Sequence, residues 1–181
     1  MKRFKGVYLL HGKGGSPNGT VRLLKHAIIP HIAGIIFMRP HLAHHDPQVS
    51  AEESMEQLLR CDIPSDLLLI GISVGGLVAA SFQEERQPDL HVICISSPTW
   101  ADGVRLERRD LPRVALYSSS DPVIAGRTAL WPLLAPEAYD LRWLTHDTDQ
   151  HLGRLAPALA AYVNGEDYQT LLENPEHENH S

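Results

Sequence analysis

Short runs of Val, Ile, Leu and other apolar residues recur along the chain at Val7–Leu10, Ile35–Met38, Leu67–Ile70, Val92–Ile95, Val114–Tyr117 and Leu141–Leu144. Each is followed by Gly, Ser, Asp or His and then by a helix-like stretch. None alternates cleanly between apolar and polar positions, the pattern of parallel strands covered on both faces. Helices are expected over Val21–Ile29, Ala51–Arg60, Val74–Arg86, Ala125–Leu134 and Leu155–Val163. Pro64, Pro88 and Pro112 stand just before the third, fourth and fifth runs, where a missing amide N–H costs little. Strands joined by helical crossovers predict a three-layer α/β/α arrangement around a mostly parallel six-stranded sheet, with sites at the carboxyl ends of the strands. Residues 1–165 are read as one domain, and 166–181 as a short C-terminal helix and polar tail. No internal repeat or low-complexity tract interrupts the pattern.

Composition narrows the function classes. The chain has 181 residues, 43% of them hydrophobic and 21% charged, close to the averages for globular proteins and enough for a core without metal or disulfide staples. Its formal net charge of −6 disfavours a nucleic-acid or anionic-membrane partner, since counterion release needs a concentrated basic face. The apolar run after Lys2, Arg3 and Lys5 is too short for an export signal, no stretch approaches a membrane span, and Cys61 and Cys94 do not form a disulfide framework. A cytoplasmic location is expected. Eleven histidines give scope for charge changes between about pH 5 and 8.

The chemistry-bearing signal is Gly71-Ile72-Ser73-Val74-Gly75-Gly76, which fits G-x-S-x-G at a strand–turn–helix junction, a nucleophile elbow. The serine sits on a strained turn, and a side chain two residues before or after it would collide with neighbouring backbone, so glycine is needed at both places. The first strand ends in His11-Gly12-Lys13-Gly14-Gly15-Ser16-Pro17. This loop is not a P-loop, because Gly6 to Gly12 leaves five intervening residues rather than four, and Pro17 stands where a dinucleotide fingerprint starting at Gly12 needs its last glycine. A glycine-rich loop does let backbone amides approach a developing oxyanion. With strand order 2-1-3-4-5-6, the Lys13 and Val74 amides would face the same oxygen.

These motifs resemble those of the α/β-hydrolase superfamily, over about residues 6–163. The resemblance rests on His11-Gly12-Lys13-Gly14-Gly15, the Gly71–Gly76 elbow, Ser120-Asp121-Pro122-Val123 and a late histidine. It implies a serine hydrolase of the esterase or thioesterase type with the chain order Ser, Asp, His and no cofactor. Ser73 would be the nucleophile and Asp121, just after the fifth strand, the acid. His146 and His151 both follow the sixth run. Family members carry the histidine shortly before a last helix, which favours His151, while His146 stands almost at the strand end. The Lys13 and Val74 amides would form the oxyanion hole, and Trp100 is the candidate to line an acyl pocket. Only about 18 residues, Ser96 to Arg113, separate strands four and five, too few for a large cap, so a small ester substrate is expected. The rival is a non-catalytic small-molecule binding protein of the same fold.

The cluster His41-Leu42-Ala43-His44-His45-Asp46 has metal-ligand residue types, but consecutive histidines point in different directions, and a pocket rim or solvated loop is expected instead of a metal site. Cys94 falls in an apolar run and is expected in the core.

Overall fold

The computed structural model describes residues 3–173; the end of the polar tail expected from the sequence lies outside them. In chain order the elements are β1 (Gly6–Leu10), α1 (Thr20–Ile28), β2 (Ile36–Met38), α2 (Ala51–Leu59), β3 (Leu67–Ile72), α3 (Val74–Glu85) and β4 (His91–Ile95). A small hairpin follows, β5 (Trp100–Ala101) and β6 (Val104–Arg105), then β7 (Arg113–Tyr117), α4 (Trp131–Leu134), β8 (Glu137–Asp140), α5 (Leu152–Asn164) and α6 (Gln169–Glu173). The main sheet has six strands, all parallel, in the order β2-β1-β3-β4-β7-β8.

The continuous apolar runs have a direct cause. Along β3, Leu68 and Ile70 enter the layer shared with α1 and α5, while Leu69 enters the opposite layer with α2 and α3. Successive side chains point to opposite faces, and both faces are buried, so no polar position interrupts the strand. The covering helices are amphipathic: α1 buries Val21, Leu24 and Ile28, and α2 buries Ala51, Ser54, Met55 and Leu58. Helix α3 is buried from Val74 through Gln83, as its central place requires. Among the described residues no helix is long and apolar enough to cross a membrane.

Three elements depart from the sequence expectation. The last sheet strand is Glu137–Asp140 rather than Leu141–Leu144. It is a partly exposed edge strand and so carries no apolar run, whereas Leu141 and Leu144 are buried in the turn beyond it, joined by a hydrogen bond from the Leu144 N–H to the Leu141 carbonyl. The helix expected over Ala125–Leu134 is only the turn Trp131–Leu134. Pro132 explains this: a proline fits the first turn of a helix and would break one that began at Ala125. The β5–β6 hairpin was not anticipated. It turns through Asp102 and Gly103, with φ of 47° and 87°, an Asp-Gly pair suited to a tight turn with two left-handed residues.

Candidate active site

Strand β3 passes into α3 through Ser73, whose φ of 53° and ψ of −124° place a non-glycine residue in a strained conformation. The Ser73 N–H donates to the Ile95 carbonyl of β4 at 2.8 Å, which fixes the turn against the sheet. A Cβ added at Gly71 would lie 2.3 Å from the Gly76 nitrogen, and one at Gly75 would lie 2.4 Å from the Leu10 carbonyl oxygen. Both are impossible contacts with backbone, so the two glycines are the steric condition for α3 to start this close to β1 and β3.

Two side chains from later loops meet Ser73. Its Oγ lies 3.3 Å from Nε2 of His146, and Nδ1 of His146 lies 2.8 Å from Oδ2 of Asp121. The other Asp121 oxygen accepts the Val123 N–H at 2.9 Å. The Asp121 side chain is 1% exposed and that of His146 25% exposed, so the acid is sealed while the imidazole borders solvent. In the neutral imidazole a carboxylate accepting from Nδ1 makes Nε2 the acceptor, and Nε2 is the nitrogen that faces the serine hydroxyl.

His151, favoured from the sequence, is not brought to this chain. Its Nε2 accepts the Thr145 N–H at 3.0 Å and lies 2.7 Å from Thr145 Oγ1, and its ring stands edge-on to Trp143. The reason is the position of β8. Because that strand ends at Asp140, His146 follows it by six residues, enough chain to reach Ser73. Residues Thr148–His151 then form a 3-10 turn whose first N–H groups are capped by Asp147, and the turn leads His151 back toward Thr145. Burial lowers the pKa of His151, with Arg154 acting the same way and Asp147 opposing.

Ser73 and His146 open on a cleft of about 180 Å³ that is also lined by Lys13, Ser16, Thr20 and Ile72. The loop after β1 approaches closely: a Cβ at Gly12 would lie 3.3 Å from Ser73 Cβ. Among the described residues the Lys13 and Val74 amides have no acceptor. The Lys13 ammonium pairs with Asp102 at the tip of the β5–β6 hairpin. Trp100 does not line the cleft. It stands at the base of that hairpin, 42% exposed, with the guanidinium carbons of Arg105 and Arg127 5.8 and 5.3 Å from its ring centroid. Cation–π contact with two arginines holds the indole there.

The histidine-rich segment is not simply a solvated rim. His44 is fully buried and its Nε2 donates to the His11 carbonyl at 2.7 Å, leaving Nδ1 buried without a partner among the described residues. His11 is also buried: Nδ1 donates to the Gly12 carbonyl at 2.9 Å and Nε2 accepts the Leu42 N–H at 3.0 Å. His41 and His45 meet edge to face nearer the surface, with ring centroids 4.4 Å apart. Among the described residues no group of three or more His, Cys, Asp or Glu side chains is placed to hold a metal ion. Cys94 is buried, as expected, and its thiol is pushed up to about 12 by burial.

Burial pushes His44 down to about 4, with His11, Lys13 and His45 adding to the effect and the hydrogen bond to the His11 carbonyl opposing it. The unfolded chain therefore takes up a proton at this histidine near pH 6.5, well before the folded one does. Above that pH the group adds no pH dependence. As pH falls from about 6.5 to 4, folding should lose about 3 kcal/mol through His44 alone. Chemical denaturation across this range should show the loss in the wild type and a correspondingly flatter profile in His44→Gln. Parallel profiles for the two proteins would contradict it.

The six-stranded parallel sheet with a serine elbow after its third strand gives this chain the α/β-hydrolase fold. It is similar to a protein of Xanthomonas campestris pv. campestris assigned to the alpha/beta hydrolase superfamily, at 19% identity and a TM-score of 0.68, over 91% of this chain and 99% of that one. Mouse alpha/beta hydrolase domain-containing protein 10 superposes with a TM-score of 0.71 at 10% identity, over 91% and 92% of the two chains. An esterase domain from a Rhodothermus marinus protein gives 0.62 at 15% identity, over 91% and 88%. No family model matches the sequence, and no curated protein matches it.

Proposed function

We propose that the protein is a serine hydrolase of small esters or thioesters. The observation that carries this reading is the continuous relay from Ser73 Oγ through His146 to the sealed carboxylate of Asp121. Ser73 attacks the acyl carbon while His146 Nε2 takes its proton, and Asp121 holds the imidazole tautomer and stabilises its charged form. The tetrahedral oxyanion is received by the Lys13 and Val74 amides, which are free to donate. Collapse expels the alcohol or thiol, which takes the proton from His146. Water activated by the same imidazole then releases the acid from the acyl-enzyme and restores Ser73. The esterase domain from Rhodothermus marinus, alike in fold, adds weight to ester chemistry.

The cleft limits the substrate. At about 180 Å³ it is smaller than the roughly 300–1,000 Å³ of ordinary ligand pockets, which favours a short acyl group. Ile72 is the one large aliphatic side chain among its lining residues, which offers little grip on a long alkyl chain. The segment between β4 and β7 supplies a small hairpin, not a helical cap. Intact-mass analysis after treatment with a fluorophosphonate should show one adduct on the wild type. p-Nitrophenyl esters should be cleaved with kcat/KM falling steeply from butyrate to palmitate. Comparable rates on acetyl and palmitoyl esters would overturn the small-substrate reading. A folded protein that takes no label would overturn the hydrolase reading in favour of a binding protein.

A further inference from the structure

We infer that His44 is a positioning residue that sets the loop carrying the Lys13 amide, an inference that rests on the hydrolase reading for its catalytic consequence. His44 grips that loop on both sides of Lys13. Its side chain donates from Nε2 to the carbonyl of His11, two residues before Lys13, and its own carbonyl accepts the N–H of Gly14, one residue after.

The grip is anchored on both sides. The N–H of His44 donates to Ser54 Oγ and that of Ala43 to Gln57 Oε1, while Gln57 Nε2 donates to the His41 carbonyl. Segment 41–44 is thereby fastened to helix α2. On the far side, the His11 carbonyl oxygen lies where a Cβ of Gly75 would come within 2.5 Å of it, so it packs directly on the first turn of α3, next to Val74. The two amides read as the oxyanion hole stand on separate elements, and the His44 imidazole fixes one of them relative to the other.

The state of the ring argues for this role over simple filling. Nε2 must carry the hydrogen because a carbonyl oxygen can only accept, and in the neutral ring this leaves Nδ1 a buried acceptor with no partner among the described residues. Phenylalanine or leucine would fill the space without stranding a polar atom. An imidazole is worth that cost only if its remaining hydrogen bond matters. Oxyanion donors act through geometry, since they must meet the oxygen as its charge develops, and a donor displaced by a fraction of an ångström stabilises the transition state less without changing ground-state binding.

The test compares His44→Phe, which cannot donate, with His44→Gln, whose Nε2 can replace the imidazole donor. Hydrolysis of p-nitrophenyl acetate should show kcat lowered roughly 10- to 100-fold in His44→Phe with KM little changed, and His44→Gln within several-fold of wild type. Affinity for a trifluoromethyl ketone, which forms the tetrahedral adduct, should fall in parallel with kcat. Amide hydrogen exchange at residues 12–15 should accelerate in His44→Phe and not in His44→Gln. If His44→Phe does not fold, His44→Asn, polar but too short to reach the carbonyl, takes its place. A folded non-donating variant with wild-type kcat and unchanged exchange at 12–15 overturns the inference. If the wild type takes no fluorophosphonate label, the hydrolase reading fails by that measurement, and the exchange data alone then decide whether His44 positions the loop.

Discussion

Ser73→Ala is expected to lower kcat for ester hydrolysis by on the order of 10⁶-fold, the scale set by removal of a triad nucleophile. The size follows from the arrangement of the site. In the proposed mechanism His146 and Asp121 act through the proton exchanged with Ser73, so their effect would disappear with the hydroxyl, while oxyanion donors and substrate binding would survive and sustain a small residual rate. KM should change little, since Oγ is a small part of the cleft wall. Stability should not fall, because alanine inherits the same strained backbone at φ 53° without adding volume. Progress curves on p-nitrophenyl acetate, with melting temperature measured alongside, check both halves. A folded Ser73→Ala protein retaining more than a tenth of wild-type turnover would remove Ser73 from the mechanism.

What could be read from the sequence depended on whether a residue's role was enforced locally. Gly71 and Gly75 were legible because the clash they avoid lies within the elbow itself and with the adjacent strand end, so any chain making this turn must spell it the same way. The inner strands were legible because burial on both faces suppresses polar residues along each of them. Strand β8 was not, because an edge strand needs no such run, and the nearest apolar pair, Leu141 and Leu144, is buried in a turn instead. That four-residue slip carried over to the histidine, since it set His146 almost at a strand end and left His151, nearer the last helix, as the better match to the family pattern. The hairpin does have a local signal in the Asp102-Gly103 dipeptide. Trp100 illustrates the opposite limit. Arg105 stands across the hairpin from it, within reach of local pattern, but its second arginine partner, Arg127, comes from a separate loop that no local pattern reveals. His44 was hidden for the same reason, since its partner carbonyl belongs to a residue 33 positions away.

The two late histidines make the sharpest contrast available. His146→Ala should abolish fluorophosphonate labelling on the timescale of wild-type modification and lower kcat nearly as far as loss of the serine, because in the proposed triad nucleophile and base act as a unit. Asp121→Asn should cost about 10⁴-fold, less than loss of the base, since the imidazole remains but its tautomer is no longer dictated by a carboxylate. His151→Ala should keep turnover within about tenfold of wild type. That variant loses the acceptor for the Thr145 N–H, but the bond lies at an exposed position where water can replace it, and Ser73, His146 and Asp121 keep their direct contacts. The remaining cost would come through Thr145, which immediately precedes His146 and is held by the His151 ring. Labelling rates and kcat for the three variants should therefore rank His146→Ala lowest, Asp121→Asn next and His151→Ala close to wild type. Reversal of the two histidines would mean that the loop after Asp140 rearranges when substrate binds, with the 3-10 turn at Thr148–His151 unwinding to bring His151 to Ser73.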